Sequence, residues 1–490
     1  MGGICCAVVA PTTERALEAA ARAREAGADL VEFRLDAMER FDLAALLAGS
    51  PLPAVVTFRR ADQGGLRETP ETERIGHLEE AGRLGAKYID IELDSRLPER
   101  GRAKLIVSHH DFSGVPADLA AIWRRIEASD ADVVKLAVTP HDPVECIPLY
   151  EALRASGKPA VAVAMGEAGF ASRLLALKLG AVFSFASIET GAESAPGQAT
   201  VHAMQDVYRA RAIGPNTRVY GVIGDPVAHS ASPAMQNAAL AGAGLDAVYV
   251  PWRVTGDPAA FVRAQRAAGL LDGLSVTIPH KEGVRAALDR TDALAGRVGA
   301  VNTVAVEDGS LAGFNTDVPA ALGAIRSALA GGEDLAGKRA LVLGAGGVAR
   351  AIALALVDAG ARVSIANRTH ARARRLAAEL ESEAVPLAGA GSLEYDVLAN
   401  ATSVGMHPDA DRTPLDAAEL RPGAVVFDAV YNPIETRLLR EARAAGCRVA
   451  DGLVMLVEQG ALQFERWTGR EANRGAMRAA ARGAVELAGA

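Results

Sequence analysis

Cysteine is scarce in this sequence of 490 residues, and its four copies are scattered at Cys5, Cys6, Cys146 and Cys447. Four scattered thiols do not form a disulfide framework, and no pair of them has the spacing of zinc ligands. The sequence therefore predicts reduced cysteines in a cytoplasmic protein, and no metal site.

Other absences narrow the class of protein further. Aromatic residues make up only 4% of the chain, and no apolar run approaches the length of a membrane span. No basic segment precedes the first apolar run, so neither a secretory nor a plastid leader is predicted. The net charge of −8 argues against nucleic acid or an anionic membrane as a partner. The length exceeds what one hydrophobic core usually supports, so two or three domains are expected, in an oligomeric state that the sequence leaves open.

The first part of the chain alternates short apolar runs with polar segments that are long enough for crossover helices. The eight runs are 4–10, 30–35, 54–58, 88–93, 105–107, 133–138, 160–164 and 182–186. Near-continuous apolar runs are typical of strands buried on both faces, as in a parallel sheet. Eight βα units predict an α/β fold with an N-terminal (β/α)₈ TIM barrel over residues 1–211.

Ionisable residues fall near the carboxyl ends of these runs, where such barrels carry their chemistry. Lys135 is the one amine in an apolar strand, so it must face a polar mouth or lose its proton, and a neutral amine can form a Schiff base with a ketone. The alternative is a lysine at the rim with its ammonium in water. Class I aldolases also carry such a lysine, so Lys135 alone does not identify the reaction. His110, on the neighbouring strand, is placed to move protons beside an imine.

Taken together, the motifs of this region resemble type I dehydroquinate dehydratase. They are 31–36, 57–59, 108–112, Lys135 with 139–140, 172–173 and 194–198. The resemblance implies that Lys135 forms an imine with the C3 ketone of 3-dehydroquinate. It also implies that His110 removes the C2 proton and helps expel the C1 hydroxyl; His110 is preferred to His109 because it directly precedes Asp-Phe. The implied substrate pocket consists of Glu32, Arg34 and Arg59 at the ring hydroxyls, Arg173 at the carboxylate, and Met165, Phe185, Ser194 and Gln198.

A βαβ pattern with a glycine-rich turn follows in the second half of the chain, with strands at 338–343 and 362–366 and a helix at 350–359. The turn consists of Gly344, Ala345, Gly346, Gly347, Val348 and Ala349. Its amides and the helix N-terminus can bind a pyrophosphate. NAD-binding units carry an acid after the second strand, whereas this chain has Asn367, Arg368 and Thr369 there. Because Arg368 would attract a 2′-phosphate, NADP is predicted over NAD; an unengaged surface arginine is the alternative.

Several short polar motifs precede that nucleotide-binding pattern. Ser230 and Ser232 lie two residues apart, Lys281 follows a predicted strand, and Asp317 ends the polar segment 313–317. Taken singly, each is more often part of a turn or a cap than of a site. Lys281 and Asp317 together form a pair that can protonate a carbonyl oxygen as hydride reaches its carbon.

Residues 218–490 resemble shikimate dehydrogenase over their whole length. The matching motifs are 229–233, 275–281, 299–303, 313–317, 344–350, 367–369, 400–406, 428–433 and 451–459. The resemblance implies a two-lobed unit, with a substrate-binding domain over 218–322 that helices within 455–490 complete, and a Rossmann-type NADP domain over 323–454. In it, Lys281 and Asp317 would serve the NADPH-dependent reduction of 3-dehydroshikimate to shikimate. The implied contacts are Ser230, Ser232, Thr277, Asn302, Tyr431 and Gln459 for the substrate, and Gly452 for the cofactor.

The two halves support each other, because the product of the dehydratase is the substrate of the reductase. One rival hypothesis is a quinate/shikimate dehydrogenase that prefers NAD; retention of both Ser230 and Ser232 favours shikimate. Ser275 stands where bacterial relatives often carry Asn, so that contact is expected to differ. A rival from another class is a catalytically inactive sensor of the same metabolites, which is disfavoured because all four candidate catalytic residues are present.

Overall fold

The computed structural model describes residues 2–228, 230–331 and 333–488. The chain divides into two compact units, Met1–Ala228 with Asp246–Asp272 and His229–Leu245 with Gly273–Ala490. The three domains expected from the motifs stay a prediction. Among the described helices, none combines the length and apolarity needed to cross a bilayer.

Eight parallel strands form the first sheet. They are β1 Gly3–Val8, β2 Leu30–Arg34, β3 Ala54–Thr57, β4 Tyr88–Glu92, β5 Lys104–Asp111, β6 Val133–Val138, β7 Ala160–Ala164 and β8 Phe183–Ala186. Their spatial order is β7-β6-β5-β4-β3-β2-β1-β8. Beside the remaining gap, Val182 N donates to Ala160 O at 2.9 Å. The barrel is therefore nearly closed, which confirms the predicted fold class.

Helices cover the outside of this barrel. They are α1 Thr13–Glu25, α2 Leu43–Gly49, α3 Glu71–Arg83, α4 Leu119–Ala128, α5 Ile147–Arg154 and α6 Phe170–Lys178. In α1 the buried side chains Ala16, Ala20 and Ala23 recur every three or four residues and form one apolar face. The expectation of eight complete βα units is wrong between β4 and β5. That connection, 93–103, is fully described and contains no helix, because it is short and Pro98 interrupts it.

Two parallel strands follow the barrel, β9 Arg218–Gly224 and β10 Ala247–Arg253. The second unit contains β11 Gly273–Val276, β12 Arg290–Thr291, β13 Thr303–Glu307 and β14 Ser310–Phe314. There β13 runs antiparallel to both β11 and β14, and β12 pairs with β14 in parallel. The helices of this region are α7 Ser232–Gly242, α8 Pro258–Ala267, α9 Ala293–Val298 and α10 Asp317–Ser327.

A six-stranded parallel sheet forms another part of the second unit. Its strands are β15 Arg339–Leu343, β16 Arg362–Asn367, β17 Glu383–Pro386, β18 Val397–Asn400, β19 Val425–Asp428 and β20 Arg448–Ala450. The order β17-β16-β15-β18-β19-β20 is that of a Rossmann fold, whose ligands bind where the order reverses, at the carboxyl ends of β15 and β18. The helices are α11 Gly347–Asp358, α12 His370–Glu379, α13 Arg437–Ala444, α14 Gly452–Thr468 and α15 Arg474–Ala488.

Gly221 in β9 is a position where the backbone needs a glycine. A Cβ atom there would lie 2.2 Å from Val250 O and 2.2 Å from the Trp252 ring. We expect Gly221→Ala to lower the free energy of unfolding by about 1–3 kcal/mol, because the carbonyl cannot move without distorting the strand pair. Urea denaturation followed by circular dichroism measures the change.

Gly214 provides the matched control for that substitution. A Cβ atom on Gly214 meets no described atom within 4 Å, and its backbone lies outside the left-handed region. Gly214→Ala should change the free energy of unfolding by no more than about 0.5 kcal/mol. Equal urea midpoints for the two variants would contradict the steric explanation.

Candidate active sites

The mouth of the barrel contains a cavity of about 470 Å³, counting the solvent at its opening. It lies at the carboxyl ends of the strands, as expected for this fold. All ten residues that the resemblance assigns to this half line it, namely Glu32, Arg34, Arg59, His110, Lys135, Met165, Arg173, Phe185, Ser194 and Gln198. The structure thus brings these side chains together, whereas their individual roles stay predictions.

Lys135 on β6 points into this cavity and is only 4% exposed, so it is not a rim lysine. Its Nζ atom donates to Asp90 Oδ2 at 2.8 Å and lies 3.6 Å from Glu32 Oε1. The face of the Phe185 ring lies 4.4 Å from the same atom. The amine therefore occupies a polar mouth with two carboxylates beside it and an aromatic ring over it.

Asp90 and Glu92 on β4 supply the buried negative charge of the mouth. Arg59 bridges them, with 2.9 Å from Nη2 to Asp90 Oδ1 and 3.2 Å from Nη1 to Glu92 Oε1. Burial alone would raise the pKa of Asp90, but Arg59, Lys135 and the Ser108 hydroxyl outweigh it and lower that pKa to about 2. Asp90 is therefore a carboxylate at neutral pH.

Asp90 and Glu92 have no role among the residues predicted from the sequence. The available signal was their spacing, because residues two apart on a strand share one face. Arg74, which bonds to Glu92 from helix α3 and donates to Phe58 O at 2.9 Å, carried no such signal.

His110 lies near the end of β5 and lines the cavity. Its backbone N–H donates to Gln63 Oε1 at 2.9 Å, and its buried Nδ1 has no partner among the described residues. Burial, together with the positive charges of Arg59, Lys135 and Arg34, lowers the pKa of His110 well below its ordinary value. The imidazole is therefore neutral at pH 7 and able to accept a proton.

Arg173 on α6 is a buried cation with no counter-ion among the described residues. It donates to Gly197 O at 3.0 Å and Pro196 O at 3.2 Å, and no described carboxylate pairs with it. Its buried Nη1 has no described partner, and burial lowers the pKa of Arg173 to about 10. An unpaired buried charge is costly, so this position favours an anionic ligand. Two hydrogen bonds of 3.0 Å join Ser194 and Gln198, which flank Pro196 and Gly197. Ser194 N donates to Gln198 Oε1, and Gln198 Nε2 donates to Ser194 Oγ.

In the second unit, Lys281 and Asp317 form a close ion pair, with 2.5 Å between Nζ and Oδ2. Asn302 donates to the other oxygen of Asp317 at 2.8 Å. The orientation of the Asn302 amide is fixed, because its oxygen accepts from Thr316 N and from the Thr303 hydroxyl, both at 2.8 Å. The pair is therefore held in place and only slightly exposed.

Gln463 on α14 extends this network and was missed by the sequence analysis. Its Nε2 donates to Asn302 O and to Thr303 Oγ1, both at 3.1 Å. Its Oε1 accepts from the Ser275 hydroxyl at 2.7 Å. Ser275, noted in the sequence as a departure from Asn, is thus part of the support of Asn302.

The remaining predicted substrate contacts also lie in the second unit. Ser230 Oγ accepts from Ser232 N at 3.2 Å, and Gln459 Nε2 donates to Leu456 O within α14 at 3.0 Å. Thr277 is half-buried just after β11, and burial raises the pKa of Tyr431. The roles of these residues stay predictions.

The glycine-rich turn leads directly into helix α11. Gly344 has φ +125°, and a Cβ atom there would lie 2.9 Å from Ala401 O. Cβ atoms on Gly346 and Gly347 would meet no described atom within 4 Å, so space remains in front of the helix N-terminus. That space fits the pyrophosphate of a dinucleotide. Of the other turn residues, Ala345 and Val348 are partly buried against the core and Ala349 is buried within it, so Ala349 offers a ligand only its backbone.

Asn367 ends β16, and Arg368 and Thr369 follow it directly beside the glycine-rich turn, because Leu343 is in register with Ala366. Arg368 is exposed, and no carboxylate in the described part of the chain pairs with it. Asn367 Nδ2 donates to Thr369 O at 3.0 Å. A free cation beside the pyrophosphate space fits a second phosphate on the cofactor.

Gly452, predicted as a cofactor contact, begins α14. A Cβ atom on it would lie 2.5 Å from Val430 O, so glycine permits a close approach of two backbone segments. This close packing explains the glycine, and its contact with a cofactor stays a prediction.

Comparison with known families agrees with this arrangement. The family model of type I 3-dehydroquinase matches residues 4–215. The models of the shikimate dehydrogenase substrate binding domain, of shikimate/quinate 5-dehydrogenase and of the shikimate 5′-dehydrogenase C-terminal domain match 222–304, 326–407 and 452–482.

Individual relatives match both halves or the second half. The bifunctional 3-dehydroquinate dehydratase/shikimate dehydrogenase, chloroplastic, of Arabidopsis thaliana is 39% identical over 95% of this chain and 82% of that protein. The shikimate 5-dehydrogenase of Thermus thermophilus, in complex with NADP(H) and shikimate, is 44% identical over 55% of this chain and 99% of that one, with a TM-score of 0.50. The quinate dehydrogenase of Corynebacterium glutamicum in complex with NAD is 32% identical over 54% and 98%, with a TM-score of 0.51. The chain therefore belongs to the family of bifunctional 3-dehydroquinate dehydratase/shikimate dehydrogenases.

Proposed function

We propose that the chain catalyses two successive reactions, the dehydration of 3-dehydroquinate to 3-dehydroshikimate and its NADPH-dependent reduction to shikimate. The observation that carries the first reaction is one cavity that holds the Lys135 amine, a neutral His110 and the unpaired cation Arg173. These are the groups needed to bind a ketone, move a proton and hold a carboxylate. Membership of the bifunctional family supports both reactions.

In the dehydratase, the Lys135 amine attacks the C3 ketone, and water leaves to give an iminium. The iminium withdraws electrons from the neighbouring carbon, so the neutral His110 takes the C2 proton. Protonated His110 then gives a proton to the C1 hydroxyl, which departs as water. Hydrolysis of the imine releases the product and restores the amine. Glu32, Arg34 and Arg59 bind the ring hydroxyls and Arg173 the carboxylate.

In the reductase, Lys281 and Asp317 hold and deliver the proton that the carbonyl oxygen receives. Bound NADPH supplies the hydride. Asn302 keeps Asp317 oriented through its 2.8 Å bond, and Ser230, Ser232, Thr277, Tyr431 and Gln459 bind the substrate. Residues 344–349 and the amides of α11 would hold the pyrophosphate, Asn367, Arg368 and Thr369 would hold the 2′-phosphate, and Gly452 would contact the cofactor.

The functional domains proposed here are the dehydratase over 1–211, the substrate-binding domain over 218–322 with helices within 455–490, and the NADP domain over 323–454. We also propose a cytoplasmic location. All four cysteines are buried and free, which fits a reducing compartment. The Arabidopsis relative, by contrast, is described as chloroplastic.

The rival preference for quinate and NAD has one observation in its favour, the fold match to a quinate dehydrogenase with NAD. The free cation at Arg368 and the absence of an acid at the end of β16 favour NADP. The inactive-sensor hypothesis is disfavoured because both catalytic pairs, Lys135 with His110 and Lys281 with Asp317, are present.

The nucleophile is tested by Lys135→Ala, with Lys104→Ala, an exposed lysine on β5, as the control. We expect Lys135→Ala to retain less than about 0.1% of dehydratase activity, because the covalent route is lost. It should still oxidise shikimate at the wild-type rate. Incubation with dehydroquinate and borohydride, followed by peptide mapping, should place the adduct on Lys135 in the wild type and in Lys104→Ala. A wild-type adduct elsewhere, or none, would refute the mechanism.

The protonation state of His110 is tested by the pH dependence of kcat/KM for the dehydratase. Protonation removes the base, and the lowered pKa of His110 moves that loss to lower pH. We expect kcat/KM for dehydroquinate to stay constant from about pH 8 down to about pH 6, below the usual midpoint of a free imidazole near 6.5. Samples held at each pH and assayed again at pH 7.5 control for unfolding. A fall centred near pH 6.5 would contradict a neutral, buried base.

Cofactor choice is tested by Arg368→Ala, with Arg362→Ala at the opposite end of β16 as the control. Loss of a charge-assisted contact should raise the KM for NADPH about 10- to 100-fold. The KM for NADH, which has no 2′-phosphate, should change less than about twofold. Arg362→Ala should alter neither value. Equal effects of Arg368→Ala on both cofactors would rule out 2′-phosphate recognition.

A further inference from the structure

Asp36 follows β2 and is 2% exposed, yet it does not line the cavity. Its carboxylate accepts two parallel bonds from Arg34, 2.9 Å from Nε to Oδ1 and 2.7 Å from Nη2 to Oδ2. Burial alone would raise the pKa of Asp36, but the bonds and charge of Arg34 and two backbone N–H groups outweigh it and lower the pKa. Asp36 is therefore ionised, and it fixes the plane of the Arg34 guanidinium.

The same carboxylate ties together three segments that border the cavity. It accepts from the backbone N–H of Arg59 at 3.3 Å and from that of Leu66 at 3.1 Å. Arg34 Nη2 also donates to Gly64 O at 3.0 Å. The ends of β2 and β3 and the loop after β3 are thus joined at one buried group.

These bonds leave one face of Arg34 for a ligand. Two of its three guanidinium nitrogens, Nε and Nη2, are engaged by Asp36 and Gly64. Nη1 is bonded to no described residue, and Arg34 lines the cavity. A long side chain that is already ordered loses less conformational freedom when it binds a ligand.

We propose that Asp36 is a positioning residue of the dehydratase, which holds Arg34 in the orientation that binds a ring hydroxyl of the substrate. This inference rests on the proposed dehydration of 3-dehydroquinate. Asp36 acts through Arg34 and through the backbone of Arg59, and it does not itself touch the substrate.

The chain contains a matched pair with the same local geometry. Arg60 and Asp62 are also two residues apart, with 2.9 Å from Nε to Oδ1 and 2.7 Å from Nη2 to Oδ2. This pair is exposed, with 32% and 59% of the two side chains accessible, and neither residue lines the cavity. Asp62→Asn therefore removes an equivalent ion pair from the same rim without touching Arg34.

The experiment compares Asp36→Asn, Asp36→Glu and Asp62→Asn in the full chain. Borohydride trapping with saturating dehydroquinate counts the competent dehydratase sites, and kcat is expressed per trapped site. For Asp36→Asn we expect the KM for dehydroquinate to rise about tenfold with kcat within about twofold, because a hydroxyl contact is made equally in ground and transition states. Asp36→Glu, which keeps the charge but displaces it, should raise KM about threefold. Asp62→Asn should leave both constants within twofold.

Three outcomes would overturn the inference. The first is an unchanged KM in Asp36→Asn at full site count. The second is an equal rise of the KM for dehydroquinate in Asp62→Asn, which would show that any lost ion pair loosens the rim of the cavity. The third is a loss of kcat without a rise in KM. If Asp36→Asn yields no trapped sites, Asp36→Glu decides, and an unchanged KM there overturns the inference. A wild-type chain without dehydratase activity would instead defeat the proposed function, since it is measured first.

Discussion

The charges buried together in the barrel mouth are the interaction on which the first half of the chain depends. Lys135 and Arg59 are 4% and 3% exposed, and each lies against fully buried carboxylates on β4. Isolated charges at such depth would be prohibitively costly, whereas paired and hydrogen-bonded charges are tolerated. Asp90 and Glu92 thus permit an amine and several guanidinium groups to crowd round one cavity. Burial, together with the positive charges of these cations, lowers the pKa of His110 and keeps its imidazole neutral.

In the reductase half, neutral hydrogen-bonding groups hold the central side chains in position. There the ion pair between Lys281 and Asp317 is held by Asn302, which donates to the second oxygen of Asp317. The Thr303 hydroxyl and the Thr316 N–H fix the orientation of the Asn302 amide, and that amide donates to Asp317. The carboxylate of Asp317 therefore has little freedom to rotate. Ser275 donates to Gln463, and Gln463 donates to the backbone carbonyl of Asn302. Directional hydrogen bonds thus position Asp317, whereas pairing of opposite charges positions the side chains of the barrel mouth.

Much of this architecture could be predicted from the sequence, because strands buried on both faces leave apolar runs and a nucleotide turn leaves glycines. The fold class, the eight strands and the βαβ unit rest on such local patterns and are confirmed. Helix α11 begins at Gly347, three residues before the predicted start, because the last glycine of the turn takes up helical geometry. The main error in the barrel concerns the connection 93–103. A crossover helix was expected there because the βα pattern was assumed to repeat, but the connection is too short for one.

The supporting residues could not be predicted, because their partners are distant in sequence. Gln463 reaches Thr303 across 160 positions, and Arg74 reaches Glu92 from a helix outside the barrel. Lys135 meets Asp90 only because β4, β5 and β6 adopt one particular register. The predicted substrate contacts belong to short motifs that can be recognised in the sequence. The residues that support them are brought close only by the fold, so no local sequence pattern identifies them.

Arg173 illustrates what such a site costs the protein that carries it. Its guanidinium is 1% exposed and is bonded only to the carbonyls of Pro196 and Gly197, without a described counter-ion. An apolar side chain of similar volume would stabilise the barrel more than this cation does. Selection for fold stability alone would not favour an arginine at this position, so its presence there indicates a requirement other than folding.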